Sequence, residues 1–281
     1  MPLSQSVDQG EESRCDDGYH AAGSASQPVT IRSVSFSPMT ERECAAHVIR
    51  ESVQEHGGWV VTVNTDILLR YERDEDFRAL IQPATLFVAD GMPVIWASRL
   101  AGEPLPERVA GSSLLFSICE AAAAKQRSVF LLGGNPGTAE VAARVLTKRY
   151  PNLQVVGTHC PDRGFLDRQQ EVDAMRRAVD DARPDIVFVA LGCPLQDRVI
   201  ALLYPEMPSV WWLGVGISLS FAAGEISRAP EWMQKYSLEW VHRLAQEPHR
   251  LARRYLRDDL PYAVRLLSSS LMSRLMRTRR G

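Results

Sequence analysis

The sequence predicts an α/β fold built on a doubly wound, mostly parallel β-sheet. Six short apolar runs alternate with segments in which apolar residues recur every three or four positions. Strands that alternate with helices in this way form parallel sheets that carry helices on both faces. The 281 residues, 45% hydrophobic and 23% charged, suffice for one large domain and an appendage. We therefore expect a Rossmann-like domain over residues 29–225 and a helical, Arg-rich appendage over residues 226–281.

The elements follow from local signals along the chain. Residues 1–28 are rich in Ser, Gln, Asp and Gly and lack periodicity, which predicts a disordered leader. Residues 29–36 form a candidate edge strand, and a helix over 40–56 begins with Thr40 and Glu43 in the positions of a capping box. Glycines, prolines and polar clusters then separate the other elements. These are strand 59–64, helix 65–81, strand 85–89, helices 93–101 and 112–125, strand 128–133, helix 138–150, strand 153–158, helix 167–182, and strands 185–191 and 209–214.

Charge and cysteine content exclude several classes of protein. Residues 242–281 hold ten Arg, no Lys and three acidic residues, whereas the whole chain has a net charge of -2. This asymmetry separates a basic tail from an acidic body, and the overall balance gives no reason to expect nucleic-acid binding. Five scattered cysteines, none in a CxxC pair, favour a reducing compartment without a disulfide framework or zinc site. We expect no secretory signal and no membrane-spanning segment.

Asp90 is the first candidate catalytic residue. It follows the apolar run 85–89 directly and precedes Gly91 and Pro93. It therefore lies at the carboxyl end of a predicted strand, where open α/β sheets bind their ligands. A carboxylate there is a candidate general base, and Gly91 allows close backbone approach. The alternative is that Asp90 caps the next helix.

Four further polar residues are predicted near the same edge. Thr62 and Asn64 alternate with valines at the end of the preceding strand, so both point to one side. Gln196 follows a later strand, and Arg108 lies in the loop beside the Asp90 strand. Such residues either cap helices or contact a ligand. Together with Asp90 they make five polar residues at one edge, which is more than the helices that start there need as caps.

Two other motifs receive a weaker functional interpretation. Gly133 and Gly134 lead from a strand into a helix and resemble a phosphate loop, because helix amino termini bind anions; the alternative is a tight turn. The spacing fits neither GxGxxG nor a Walker loop. The segment 74–76 has the letters of a DxD metal motif but lies in a charged helical stretch, so we expect a solvated face, no metal and no cofactor.

The five polar residues at the predicted edge, Thr62, Asn64, Asp90, Arg108 and Gln196, lie in segments that resemble the WecG/TagA/CpsF family of bacterial glycosyltransferases. The resemblance implies an inverting transferase that needs no metal and moves a sugar from a UDP donor to a polyprenyl-diphosphate-linked saccharide. It implies that Asp90 is the base and that Thr62, Asn64, Arg108 and Gln196 line the pocket. Where similar proteins often have a Phe-Asp pair, this chain has Ile217–Phe221, without a carboxylate. The matching segments are 62–64, 89–94, 107–111, 191–197, 214–216, 223–232, 239–244, 247–248 and Arg250.

The appendage is predicted to supply positive charge and membrane contact. With no metal expected, the leaving diphosphate needs arginines, because the paired N–H donors of a guanidinium match phosphate oxygens. The alternative is that these arginines belong to a solvated basic helix. From Leu260 onward a basic amphipathic helix is predicted to lie on the membrane, or alternatively to pack on the protein's own body or on a second subunit. The candidate arginines are Arg243, Arg250, Arg253 and Arg254, and the apolar stripe is Val264, Leu267, Leu271 and Leu275, widened by Met272 and Met276.

The expected function is therefore hexose transfer in cell-envelope or exopolysaccharide synthesis. The donor sugar is N-acetylmannosamine, its uronic acid or glucose, all of which the resemblance allows. The expected location is cytoplasmic, on the inner face of the membrane, and a homo-oligomer is left open. The alternatives are a nicotinamide-dependent oxidoreductase, which the missing GxGxxG disfavours, and a membrane-surface adaptor without catalysis.

Overall fold

A six-stranded parallel sheet forms the centre of the molecule. The computed structural model describes residues 27–230, 232–233, 239–246, 257 and 259–278. Within them the strands are β1 (Val29–Ile31), β2 (Val34–Phe36), β3 (Gly58–Val63), β4 (Leu86–Ala89), β5 (Ser128–Gly133), β6 (Gln154–His159), β7 (Ile186–Ala190) and β8 (Trp211–Gly214). The last six lie in the order β4-β3-β8-β7-β5-β6, and every neighbouring pair is parallel. The predicted fold class is thus confirmed.

Helices cover both faces of this sheet. They are α1 (Glu41–Val53), α2 (Thr65–Arg73), α3 (Glu75–Ile81), α4 (Met92–Ala101), α5 (Gly111–Lys125), α6 (Thr138–Arg149), α7 (Gln169–Ala182), α8 (Leu195–Leu203) and α9 (Ser218–Ala222). Helices α1, α5, α6 and α9 pack on one face, and α2, α3, α4, α7 and α8 on the other. Successive strand residues point to opposite faces, and because both faces are covered, β5, β7 and β8 are buried along their whole length. In β7, Val187 and Val189 enter one core while Ile186 and Phe188 enter the other.

Side-chain caps fix the starts of three helices. Thr40 accepts a hydrogen bond from the Glu43 amide, and the Glu43 carboxylate accepts one from the Thr40 amide at 2.7 Å, so the predicted capping box is confirmed. Asn64 Oδ1 caps α2 by accepting from the Ile67 amide at 2.9 Å. Asp74 caps α3 in the same way.

The Asp74 cap corrects one prediction. The single helix expected over 65–81 is wrong, because Asp74 has an extended backbone, with φ of -114° and ψ of 105°, and separates α2 from α3. Its carboxylate accepts from the Phe77 amide at 2.9 Å. The acids at 74–76 therefore start a helix, where negative charge is favourable.

The amino-terminal strand prediction also needs correction. Residues 29–36 are not one edge strand but an antiparallel hairpin, β1 and β2, which is separate from the six-stranded sheet. Arg32 turns the chain with a positive φ of 57°. Helices α8 and α9 were not predicted, because each is short and follows a Gly-containing turn that dominates the local signal.

The last two helices of the described chain belong to the predicted appendage. They are Glu239–Gln246 and Leu260–Thr278, the second of which we call the C-terminal helix. The C-terminal helix packs across α4 through Tyr262, Leu266 and Ser270, which are buried and spaced by four residues. Packing on the protein's own body is thus correct for this face. No helix in the described part of the chain is long and apolar enough to cross a membrane.

Candidate active site

Asp90 lies where β4 ends, next to the end of β3. Its amide donates to the Val63 carbonyl at 2.9 Å, which continues the parallel pairing by one residue. Its Oδ2 accepts from the amide of Gly111, the first residue of α5, at 3.4 Å. The cap position of α4 is occupied by Gly91, not by Asp90. The carboxylate is therefore directed toward the carboxyl edge of the sheet by β3 and α5.

Arg108 is held beside Asp90 by the backbone of its loop. The Val109 amide donates to the Ala89 carbonyl at 2.7 Å, so the loop runs along the end of β4. Burial lowers the pKa of Arg108, but the nearby carboxylates of Asp90 and Glu239 outweigh it, and the net pKa is raised. The guanidinium therefore remains charged next to the candidate base.

Thr62 and Asn64 adjoin this pair on β3. A Cβ on Gly111 would lie 3.3 Å from Thr62 Oγ1, so the start of α5 rests on the Thr62 side chain. Asn64 caps α2, and the capping interpretation is correct for its Oδ1. That bond does not use the amide nitrogen of Asn64. Gly91 passes close by, since its Cβ would lie 3.8 Å from Asn64 Cα.

Gln196 joins β7 to β8 across the same edge. It is buried, and its Oε1 accepts from the Gly216 amide at 3.0 Å. A Cβ on Gly214 would lie 2.4 Å from Gln196 Nε2, so only glycine leaves room for this side chain. The structure thus brings the predicted groups at the ends of β3 and β4 and in the first turn of α8 to one continuous edge.

The Gly133–Gly134 loop lies farther along that edge. It follows β5, which is four strands from β4, or about 19 Å at the usual strand spacing. The Gly134 amide donates to the Ala190 carbonyl at 2.9 Å. The Glu225 carboxylate accepts from Thr138 Oγ1 at 2.5 Å, and this negative charge disfavours a diphosphate at the same point. The diphosphate seat stays a prediction, and the geometry favours the tight-turn alternative.

Two charged residues of the site were missed by the sequence analysis. Glu239 Oε2 accepts from Arg108 Nη2 at 2.5 Å, and Glu239 Oε1 accepts from Arg228 Nε at 3.3 Å. Arg228 and Glu239 both lie in segments that carried the family resemblance, so their positions were visible, although their contact was not. Of the candidate arginines, Arg243 lies in a described helix but its side chain does not belong to the described part, and Arg250, Arg253 and Arg254 lie outside the described residues.

Comparison with known proteins assigns this edge to an enzyme family. Residues 29–276 match the Glycosyl transferase WecG/TagA/CpsF family. The protein belongs to this family. The predicted resemblance is therefore confirmed, and the chain is a glycosyltransferase.

Curated relatives of this WecG/TagA/CpsF member are similar over most of their length. One from Bacillus subtilis (strain 168) is 30% identical over 200 residues, which are 71% of this chain and 76% of the relative. Another from Staphylococcus aureus (strain MW2) is 32% identical over 195 residues, or 69% and 74% of the two chains. Both are named N-acetylglucosaminyldiphosphoundecaprenol N-acetyl-beta-D-mannosaminyltransferase.

In this WecG/TagA/CpsF chain a buried carboxylate lies beside the partly buried Asp90 edge. Asp197 follows Gln196 in α8 and is only 2% exposed. Burial raises the pKa of Asp197 to about 6, against the smaller effects of a Cys193 thiol donor and the Arg70 charge. Within the described residues, its Oδ2 has no hydrogen-bond partner. No group of three His, Cys, Asp or Glu side chains in these residues is arranged to hold a metal.

Proposed function

We propose that the protein is an inverting glycosyltransferase that moves a hexose from a UDP-sugar to a saccharide linked to a polyprenyl diphosphate. The observation that carries this proposal is the convergence of Asp90 and Arg108 at the carboxyl edge of the sheet. A general base and a fixed cation are what such a transfer needs. The names of the relatives favour N-acetylmannosamine as the sugar. Its uronic acid and glucose remain the alternatives that the assay below compares.

The proposed reaction is one balanced displacement. Asp90 accepts the proton of an acceptor hydroxyl while that oxygen forms a bond to the anomeric carbon of the donor sugar. The bond between this carbon and the diphosphate oxygen breaks, and its electron pair leaves with UDP. Because the nucleophile attacks opposite the leaving group, the configuration inverts. Arg108 supplies positive charge where negative charge develops.

Pocket residues complete this scheme in the proposal. Thr62, Asn64 and Gln196 would bind the sugar and the adjoining diphosphate, because Thr62 and Asn64 lie at the end of β3 and Gln196 contacts the turn after β8. The arginines Arg243, Arg250, Arg253 and Arg254 would neutralise the diphosphate, and no metal would be needed. A nicotinamide oxidoreductase would leave the Asp90–Arg108 pair without a role, and so would a non-catalytic adaptor.

A product assay tests the proposed function. The purified protein is incubated with a short-chain polyprenyl-diphosphate sugar acceptor and, separately, with each of the three UDP-sugars. We expect the acceptor mass to increase by one residue of the transferred sugar with a single preferred donor, and the reaction to persist in a chelator. No transfer from any UDP-sugar, or a strict need for added magnesium or manganese, would contradict this proposal.

We further propose that the C-terminal helix holds the enzyme on the inner face of the cytoplasmic membrane. The face opposite α4 leaves Val264 61%, Leu271 45% and Leu275 52% exposed, whereas Leu267 of the predicted stripe is partly buried. Arg265 lies on the same helix, and basic amphipathic helices bind anionic lipid surfaces. Trp96 is also exposed and lies about 6 Å along α4 from its first residue, Met92, at 1.5 Å per residue. This surface would place the base near the lipid-linked acceptor.

Vesicle flotation tests the membrane proposal. Leu271→Ser combined with Leu275→Ser removes exposed apolar area but keeps the packing of Tyr262 and Leu266 on α4. We expect flotation with anionic vesicles to fall at least about tenfold, since each buried Leu contributes roughly 1.5–3 kcal/mol. The control is Val145→Ser, an exposed apolar residue on α6. Equal flotation of the double variant and the native protein would exclude this role for the helix.

A further inference from the structure

The Glu239 carboxylate lies between two arginines that come from different parts of the chain. It accepts from Arg108 Nη2 at 2.5 Å and from Arg228 Nε at 3.3 Å. The exposed fractions of the Arg108 and Glu239 side chains are 19% and 13%, so solvent screens this pair only weakly. A charged hydrogen bond in such surroundings is short and strongly directional. Glu239 therefore fixes the position of the Arg108 guanidinium.

The charge state of Glu239 suits this task. Burial raises the pKa of Glu239, but hydrogen bonding to Arg108 and the charges of both arginines outweigh it and lower the net pKa. The carboxylate is thus ionised throughout the neutral range. Two arginines contact this carboxylate, and the carboxylates of Asp90 and Glu41 also act on the charge of Arg108. Glu239 therefore sets the position of the guanidinium rather than the net charge of the site.

The same pair is connected to the Asp90 side of the edge. Arg228 Nη2 donates to Ser113 Oγ at 2.6 Å in the first turn of α5. That helix begins at Gly111, whose amide donates to Asp90 Oδ2. The contacts run from Asp90 through α5 and Arg228 to Glu239 and then to Arg108. Asp90 and Arg108 are therefore held by one connected set of contacts. The Glu239–Gln246 helix contributes the carboxylate that connects Arg108 to Arg228.

We propose that Glu239 is a positioning residue that acts on sugar transfer through Arg108. The proposal rests on the proposed function, in which Arg108 faces the diphosphate of the donor. The Glu239 contact uses one of the five N–H donors of the guanidinium and sets the plane of the others. Orientation before substrate arrives lowers the entropic cost of binding and keeps the cation aligned as charge develops.

The first test is Glu239→Gln in the full chain. This change keeps the shape of the side chain but removes the charge that holds Arg108. We expect kcat/KM for the UDP-sugar to fall about 10- to 100-fold, because small misplacement of a catalytic group has effects of this size. The matched control is Glu72→Gln, which breaks the Arg32–Glu72 pair of 2.6 Å and comparable exposure, remote from Asp90. We expect the control to retain the native kcat/KM.

A double-mutant cycle separates positioning from a merely structural role. If Glu239 acts through Arg108, then adding Glu239→Gln to Arg108→Ala should change kcat/KM by less than about twofold. Independent losses that multiply in the double variant would overturn the proposal, and so would native kinetics of Glu239→Gln alone. Native protein that transfers no sugar from any UDP donor would instead contradict the proposed function, and with it this inference.

Discussion

Asp90→Asn is expected to lower the turnover number by at least about a hundredfold, the lower end of what a general base contributes. Asn has the same size as Asp but cannot accept the acceptor proton near neutral pH. It can still accept the Gly111 amide through its side-chain oxygen, so the end of β4 and the start of α5 should keep their positions. The measurement is single-turnover transfer to the lipid acceptor by the purified variant.

Controls for binding and folding show whether the lower turnover of Asp90→Asn comes from loss of the base. UDP affinity by calorimetry and the unfolding temperature should match those of the native protein. Asp162→Asn, which alters an exposed carboxylate paired with Arg168, should retain full turnover. Near-native transfer by Asp90→Asn would remove Asp90 from the role of base.

Asp197→Asn is expected to raise the free energy of unfolding at pH 8 by about 3 kcal/mol, from roughly 1.4 kcal/mol for each unit of pKa shift. The pKa of Asp197 is raised to about 6 from an ordinary value of 3.8, so between these values the folded state binds more protons than the unfolded state. Its favourable contribution is complete below pH 3.8 and is lost as the pH rises through 6. At pH 8 the folded protein carries a buried charge that Asn would remove.

Urea unfolding at pH 4, 5, 6 and 8 tests this expectation. The stabilisation by Asp197→Asn should be largest at pH 8 and nearly absent at pH 4. Asp185→Asn is the contrasting variant, because Asp185 Oδ2 accepts from the Ser128 amide at 2.6 Å and from its hydroxyl at 2.8 Å. Loss of these charged bonds should not stabilise the protein. A stability gain of Asp197→Asn that is independent of pH would show that its ionisation is not the cause.

The sequence was most informative where one strand ends and a polar residue follows. Asp90, Asn64 and Gln196 each come after an apolar run, and parallel strands end at a common edge. Their position at one edge of the sheet therefore follows from fold class alone. The order of the strands does not, and it places Gly133 four strands away from Asp90. Periodicity predicts which residues share an edge but not how far apart they lie.

Local sequence patterns could not predict contacts between residues that are far apart in the chain. Arg108 and Glu239 are separated by 131 positions, and neither residue type signals the other. The C-terminal helix illustrates a related limit. The sequence predicted its apolar stripe. It did not predict the face that packs on α4, because that face includes the polar residue Ser270. At Asp74, both flanking segments favour helix, so only the cap geometry marks the boundary.

The exposed face of the C-terminal helix also determines which concentration of each substrate governs the rate of the proposed enzyme. An enzyme bound by this face meets the lipid acceptor as a mole fraction of the bilayer, while the donor arrives from bulk solution. Adding inert lipid should then slow the reaction by surface dilution, although the bulk concentrations of enzyme, donor and acceptor have not changed. Encounter becomes a two-dimensional search, and successive transfers on one vesicle become faster than exchange between vesicles.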